Sequence, residues 1–223
     1  RRMYLHAGQL YASAERMEDE VLGAARDVAG RDRRLSGRLR VTSSETLAYR
    51  LLTQLVAVFR RTHPGIVVEL AIDNRILSLS RREADVALRP VRPREGDLWG
   101  RKLADVAWTV YGARSYLEAA GPPAAPEDLG AYSLIGWGEG TAGIVAAEWL
   151  AAVAPASAVV YRTGSLVNQL VAARAGIGLA VLPCYLGDPQ PELVRALPAP
   201  VPELVRELWM VTHKDLRRTA RVR

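Results

Sequence analysis

From Leu39 onward the chain alternates between short apolar runs of strand character and segments with a helical period, and this alternation limits the folds open to it. Leu39–Thr42 reads as a strand. Residues 47–61 follow, with apolar side chains at 47, 51, 52, 55, 56 and 59, which puts them on one face of a helix. His63-Pro64-Gly65 ends that helix, and Ile66–Ile72 reads as a second strand. A short helical stretch is expected at Ile76–Ser80, then a third strand at Ala84–Arg89. Strand–helix–strand repetition of this kind builds a parallel sheet covered by helices.

Two proline-rich passages interrupt the alternation. The first is Pro90-Val91-Arg92-Pro93; the second, from Asp188 to Pro202, holds five prolines. Between them the pattern predicts strands at Val106–Tyr111, Tyr132–Trp137, Ala158–Tyr161 and Ile177–Leu182. It predicts helices at Ser115–Ala120, Ile144–Ala152 and Leu166–Ala175, the last ended by Gly176. One more strand, Leu204–Thr212, follows the second break and is expected to return to the first sheet. The expected fold class is therefore α/β, with two Rossmann-like lobes and a ligand cleft between them. Lobe I takes residues 38–98 and 199–223, and lobe II, inserted, takes 99–198.

Residues 1–37 have a different character. From Gln9 to Ala29 the apolar positions Leu10, Ala14, Met17, Val21, Ala24 and Val28 are spaced alternately by four and three, a heptad seam. Charged residues such as Glu15, Arg16, Glu18 and Arg26 fill the outer positions. So narrow a stripe suits a long helix pairing with its own copy through Leu10, Ala14, Met17, Val21 and Val28; an ordinary amphipathic surface helix is the other reading. Gly30 and the arginine-rich stretch after it form a linker.

Composition narrows the function classes. The net charge of +6 is concentrated in residues 1–40 and 214–223, leaving a near-neutral body rather than a basic face for nucleic acid. The single cysteine, Cys184, excludes an internal disulfide framework. No secretion signal opens the chain, and no run approaches the ~18 apolar residues a membrane span needs. A soluble, cytoplasmic protein with no membrane partner is expected.

The segment GRLRVTSSETLAYRLLTQLVAVFRRTHPGIVVEL (residues 37–70) resembles the opening of the effector-binding domain of LysR-type transcription regulators. ADVALR (84–89) resembles that family's Asp-hydrophobic-Ala strand. LVAARAGIGLAVLPCYLGD (170–188) resembles its helix, Gly-x-Gly turn, strand and Leu-Pro. Residues 1–21 resemble the end of the family's winged-helix domain running into its linker helix. The resemblance covers almost the whole chain, and four motifs stand in the family's order. It implies a type 2 periplasmic-binding-protein-like domain that senses a small metabolite, with dimers or tetramers as the working state. DNA binding is implied only through a helix-turn-helix expected ahead of Arg1, and family members usually continue past Arg223 into a closing helix. Ligand-driven closure of the lobes would alter the spacing of the DNA-binding heads.

Three loops are candidates for the effector site. Thr42–Thr46 lies between the first strand and its helix, where the hydroxyls of Ser43, Ser44 and Thr46 and free backbone N–H groups favour a carboxylate. Plain helix capping is the competing role, and the resemblance places the effector against this loop. Thr163-Gly164-Ser165 is the matching turn in lobe II. Gly136-Trp137-Gly138-Glu139-Gly140 offers the Trp137 ring as an apolar wall, with core packing as its alternative. Asn74 follows the second strand, and Arg89 ends the third, where its guanidinium suits an acidic effector or sits at the surface.

Enzymatic signatures are sparse. Residues 138–143 fit G-x-G-x-x-G, but the strand that follows ends in Tyr161-Arg162-Thr163, with no acidic residue to hold a ribose. His6, His63 and His213 are scattered, no metal-ligand spacing occurs, and Cys184 has no resolving partner. The expectation is a receptor without catalytic residues, metal or cofactor. A transport solute-binding protein is the alternative, and a cleft enzyme stands behind it.

Overall fold

The computed structural model describes residues 35–72, 84–90, 92, 97–138 and 143–223. The expected pairing helix, with Leu10, Ala14, Met17, Val21 and Val28, lies outside these residues, as do Asn74 and the helical stretch at 76–80. The chain divides into two units. The first takes the described residues of 35–44, 53–102 and 209–223; the second takes 45–52 and 103–208. The final strand thus returns to the first unit's sheet, while the short stretch 45–52 groups with the second.

The first sheet has strands β1 (Gly37–Ser43), β2 (Ile66–Ile72), β3 (Val86–Arg89), β4 (Leu98–Val106) and β10 (Arg206–His213), in the order β2-β1-β3-β10-β4. β1 runs parallel to β2 and β3, and β10 runs antiparallel to β3. Between β1 and β2 the chain makes an α-turn at Glu45–Leu47, a π-helical turn at Ala48–Leu52 and helix α1 (Thr53–Thr62). Helix α1 buries none of its residues fully. Phe59 packs with Leu39, Ile66 and Val86, and Thr62 Oγ1 donates to Phe59 O at 2.9 Å near its end. Asp85, of the ADVALR motif, ties the sheet together at the end where β3 begins. Its Oδ2 accepts from Arg40 N at 2.8 Å, its N–H donates to Arg40 O at 2.8 Å, and its carbonyl accepts from Thr212 Oγ1 at 2.8 Å.

The second sheet has β5 (Trp108–Ala113), β6 (Leu134–Gly136), β7 (Val159–Arg162), β8 (Leu179–Pro183) and β9 (Leu193–Arg195), in the order β7-β6-β8-β5-β9. Helices α2 (Arg114–Ala120), α3 (Val145–Val153), α4 (Leu166–Arg174) and α5 (Cys184–Gly187) accompany it. Both faces are buried, and the period of two sorts the side chains cleanly. Val110, Leu134, Leu179 and Val181 enter one core with Leu117 and Leu150; Tyr111, Ile135, Ala180 and Leu182 enter the other with Leu170 and Leu186. Each fully buried Leu or Ile here contributes about 1.5–3 kcal/mol.

Three expectations from the sequence need correction. The apolar run at 106–111 is the junction of two strands: β4 ends at Val106 and β5 starts at Trp108. β4 itself is unexpected, because most of it is exposed or half-buried and shows no clean alternation. The second proline-rich passage contains β9 and is tethered by Thr109, whose hydroxyl lies 3.0 Å from the carbonyls of both Leu197 and Ala199.

Candidate functional site

The described polar groups among those singled out from the sequence lie where parallel strands end, the usual place for ligand contacts in open α/β sheets. In the first unit, β1 ends on Thr42 and Ser43, both fully buried. Arg89 ends β3 at 7% exposure, and its Nη2 donates to Thr42 Oγ1 at 2.7 Å. The surface alternative for Arg89 is thereby set aside. The Ser43 hydroxyl has no hydrogen-bond partner among the described residues. An unpaired buried hydroxyl costs about 1–3 kcal/mol, which a ligand can recover. Ser44 is half-buried beside it.

The second unit gathers its own set. β6 ends at Gly136, followed by Trp137 and Gly138, and β7 is followed by Thr163. Thr163 N–H donates to Gly136 O at 3.1 Å, and a Cβ on Gly138 would stand 3.9 Å from Gly164 N, so the two turns lie side by side. Ser165 is the N-cap of α4: its Oγ accepts from Asn168 N at 3.2 Å, while its own N–H donates to Thr163 Oγ1 at 3.2 Å. The same Ser165 hydroxyl donates to Glu45 Oε2 at 2.9 Å. Thr46 does not cap its own helix with its hydroxyl; that group shares a 2.7 Å hydrogen bond with the Tyr185 hydroxyl. Burial pushes Tyr185 up to about 12, against the opposing effect of the Thr46 bond, so the phenol stays neutral at physiological pH.

Sequence reasoning missed Glu45, Gln169 and Tyr185. Gln169 lies in α4 and is completely buried; its Nε2 donates to Gly136 O at 3.3 Å and to Thr163 O at 3.4 Å. A glutamine at a position the helical period reserves for the core was the available signal.

Trp137 is a core residue, 5% exposed, packed with Leu134 and Leu150. One edge of it lines a shallow concavity of about 260 Å³ with Ala147, Ala151, Ala154 and Arg162. The first unit carries a larger concavity of about 620 Å³, lined by Val86, Met210, Arg101, Trp99 and Arg217, whose guanidinium lies 4.6 Å from the Trp99 ring centroid. Among the described residues no group of three or more His, Cys, Asp and Glu is placed to hold a metal, and no helix is long and apolar enough to cross a membrane.

Known proteins resemble this chain in sequence and in fold. The HTH-type transcriptional regulator PtxR of Pseudomonas aeruginosa is 32% identical over 127 residues, which is 57% of this chain and 41% of that protein. The HTH-type transcriptional activator AaeR of Escherichia coli is 30% identical over 128 residues, again 57% and 41%. The chain therefore spans about two-fifths of the length of these relatives. Among solved structures, the regulatory domain of CrgA, a LysR-type regulator from Neisseria meningitidis, superposes with a TM-score of 0.71 at 23% identity, covering 84% of this chain and 94% of that one. Full-length AphB, the Vibrio cholerae virulence activator, superposes with a TM-score of 0.70 at 18% identity, covering 97% and 75%. At such identities the likeness is one of fold. The family described as the LysR substrate binding domain matches residues 32–223, and the chain belongs to that family.

Proposed function

We propose that this chain is the effector-sensing region of a LysR-type transcription regulator, binding a small acidic metabolite at its strand-end polar clusters and performing no chemistry on it. The intact protein then binds DNA through a segment preceding these residues, assembles with its own copies and works in the cytoplasm. The match over residues 32–223 carries the reading. The geometry supports it with an unpaired buried hydroxyl at Ser43, the buried guanidinium of Arg89, and Thr163 and Ser165 at the start of α4. No observation favours the solute-binding or enzymatic alternative.

Ligand binding to a folded domain raises its melting temperature by mass action, so titrating a panel of small organic acids while following thermal unfolding tests the proposal. An acid that stabilises the chain and is recovered unchanged supports it. A panel without effect, or an acid consumed by the protein, overturns it. Arg89→Met should reduce the stabilisation by an acid that binds the first unit, since a carboxylate paired with guanidinium gains about 1.5–3 kcal/mol.

A further inference from the structure

The hydroxyl of the α4 N-cap residue, Ser165, already holds a carboxylate, and the chain supplies it from far away in sequence. Glu45 and Ser165 are 120 positions apart, yet Ser165 Oγ donates to Glu45 Oε2 at 2.9 Å while capping this nine-residue helix. A helix start attracts negative charge because its first N–H groups lack intrahelical partners. The next residue, Thr46, bonds to Tyr185, so the turn carrying Glu45 is anchored independently of it. One polar atom of the same neighbourhood is unpaired. The Gln169 carboxamide spends its N–H groups on the carbonyls of Gly136 and Thr163, and its Oε1, fully buried, has no partner among the described residues. Exchanging oxygen and nitrogen would set the carboxamide oxygen against two carbonyls, so the network itself fixes this orientation.

We propose that Glu45 is an internal stand-in for the effector's carboxylate: a small acid that also bears a hydroxyl or amine displaces Glu45 from Ser165 and donates to Gln169 Oε1. The inference rests on the effector-binding reading above and deepens it. Two properties follow. Binding is an exchange of one carboxylate for another, so removing Glu45 strengthens it. An acid without a donor leaves the Gln169 oxygen unpaired and binds more weakly than its hydroxylated counterpart.

The test is a titration of the ¹⁵N-labelled chain with lactate and, separately, with propionate, which lacks the hydroxyl, following the amide resonances of Ser165, Leu166, Val167 and Asn168. Lactate is expected to move these resonances, and Glu45→Ala to bind it about ten-fold more tightly than the unsubstituted chain, roughly one charge-assisted hydrogen bond. Glu45→Gln, which keeps the shape and removes the charge, should fall between them and serves alone if Glu45→Ala does not fold. Propionate should bind each form more weakly than lactate. The proposal is overturned if both Glu45 variants bind lactate no more tightly than the unsubstituted chain, if propionate and lactate bind alike, or if the four amides stay fixed throughout. A metabolite that raises the melting temperature while leaving those amides fixed preserves the effector reading and removes the displacement.

Discussion

The Tyr111 hydroxyl donates to Asp188 Oδ1 over 2.7 Å, and the same carboxylate takes a two-pronged bond from Arg195, Nε to Oδ1 at 2.8 Å and Nη2 to Oδ2 at 2.7 Å. Tyr111 is 1% exposed, and Gly187 lies so close to its ring that a Cβ there would come within 2.5 Å. The ring is closely held, and its hydroxyl meets the Cys184 side chain as well as Asp188. Tyr111→Phe should cost about 1 kcal/mol, the net worth of a hydrogen bond that leaves its acceptor still paired. Arg195→Ala should cost less, ~0.2–1 kcal/mol, because about a third or more of each side chain of that ion pair is open to water. Urea unfolding of both variants at neutral pH checks the order; a larger loss for Arg195→Ala would reverse it.

The same cluster sets a pH dependence. The Arg195 guanidinium beside Asp188 holds its carboxyl below the usual range; the Tyr111 hydroxyl bond acts in the same direction and partial burial acts against both. A depressed carboxylate stabilises the fold above its unfolded pKa of about 3.9 and loses that contribution as pH falls through the lower folded value. Asp188→Asn should therefore be less stable than the unsubstituted chain at pH 7. The gap should narrow as the solution is acidified below about pH 4. Melting temperatures of the two proteins across that range measure it, and a gap constant with pH would contradict the sign.

Gly178 explains part of the Gly-x-Gly signature in physical terms. A Cβ on it would lie 2.2 Å from Ser133 O, the carbonyl that accepts Leu179 N–H at 2.8 Å beside the β6–β8 pairing. No side-chain rotation relieves a clash with backbone. Gly178→Ala should therefore cost at least about 3 kcal/mol, with β8 displaced from β6. Gly176 ends α4 at φ +76 with open space around its Cβ position, so Gly176→Ala should cost only about 1–2 kcal/mol of left-handed strain. Thermal unfolding of the pair separates the two causes, and equal losses would show that close approach is not what Gly178 provides.

The contrast between these elements shows what the sequence could display. β8 was legible because it is buried on both faces and reads as an unbroken apolar run between two glycines and a Leu-Pro step. β4 was not, since burial varies along it without a period of two, and β9 is three residues long within a proline-rich passage. Among the site residues, Ser165 was legible as an N-cap because capping is local and leaves its mark within three residues. Glu45, Tyr185 and Gln169 act through partners in other elements, up to 139 positions away, and no local period marks such a pairing.

Ser43 gives the sharpest separation of stability from function. Its hydroxyl is fully buried and unpaired among the described residues, at the end of β1 and beside the Thr42–Arg89 hydrogen bond. Removing an unpaired buried hydroxyl leaves the packing of the strand intact and relieves a desolvation cost, so Ser43→Ala should stabilise the chain by up to about 1 kcal/mol. If the hydroxyl is kept for a ligand, the same change should weaken effector binding, by about ten-fold for one hydrogen bond to a charged group. Opposite signs in the two measurements are the mark of a residue held for binding. A Ser43→Ala protein with a lower melting temperature would mean that the hydroxyl serves the fold. One with unchanged affinity for an acid that protects the first unit would remove Ser43 from the site.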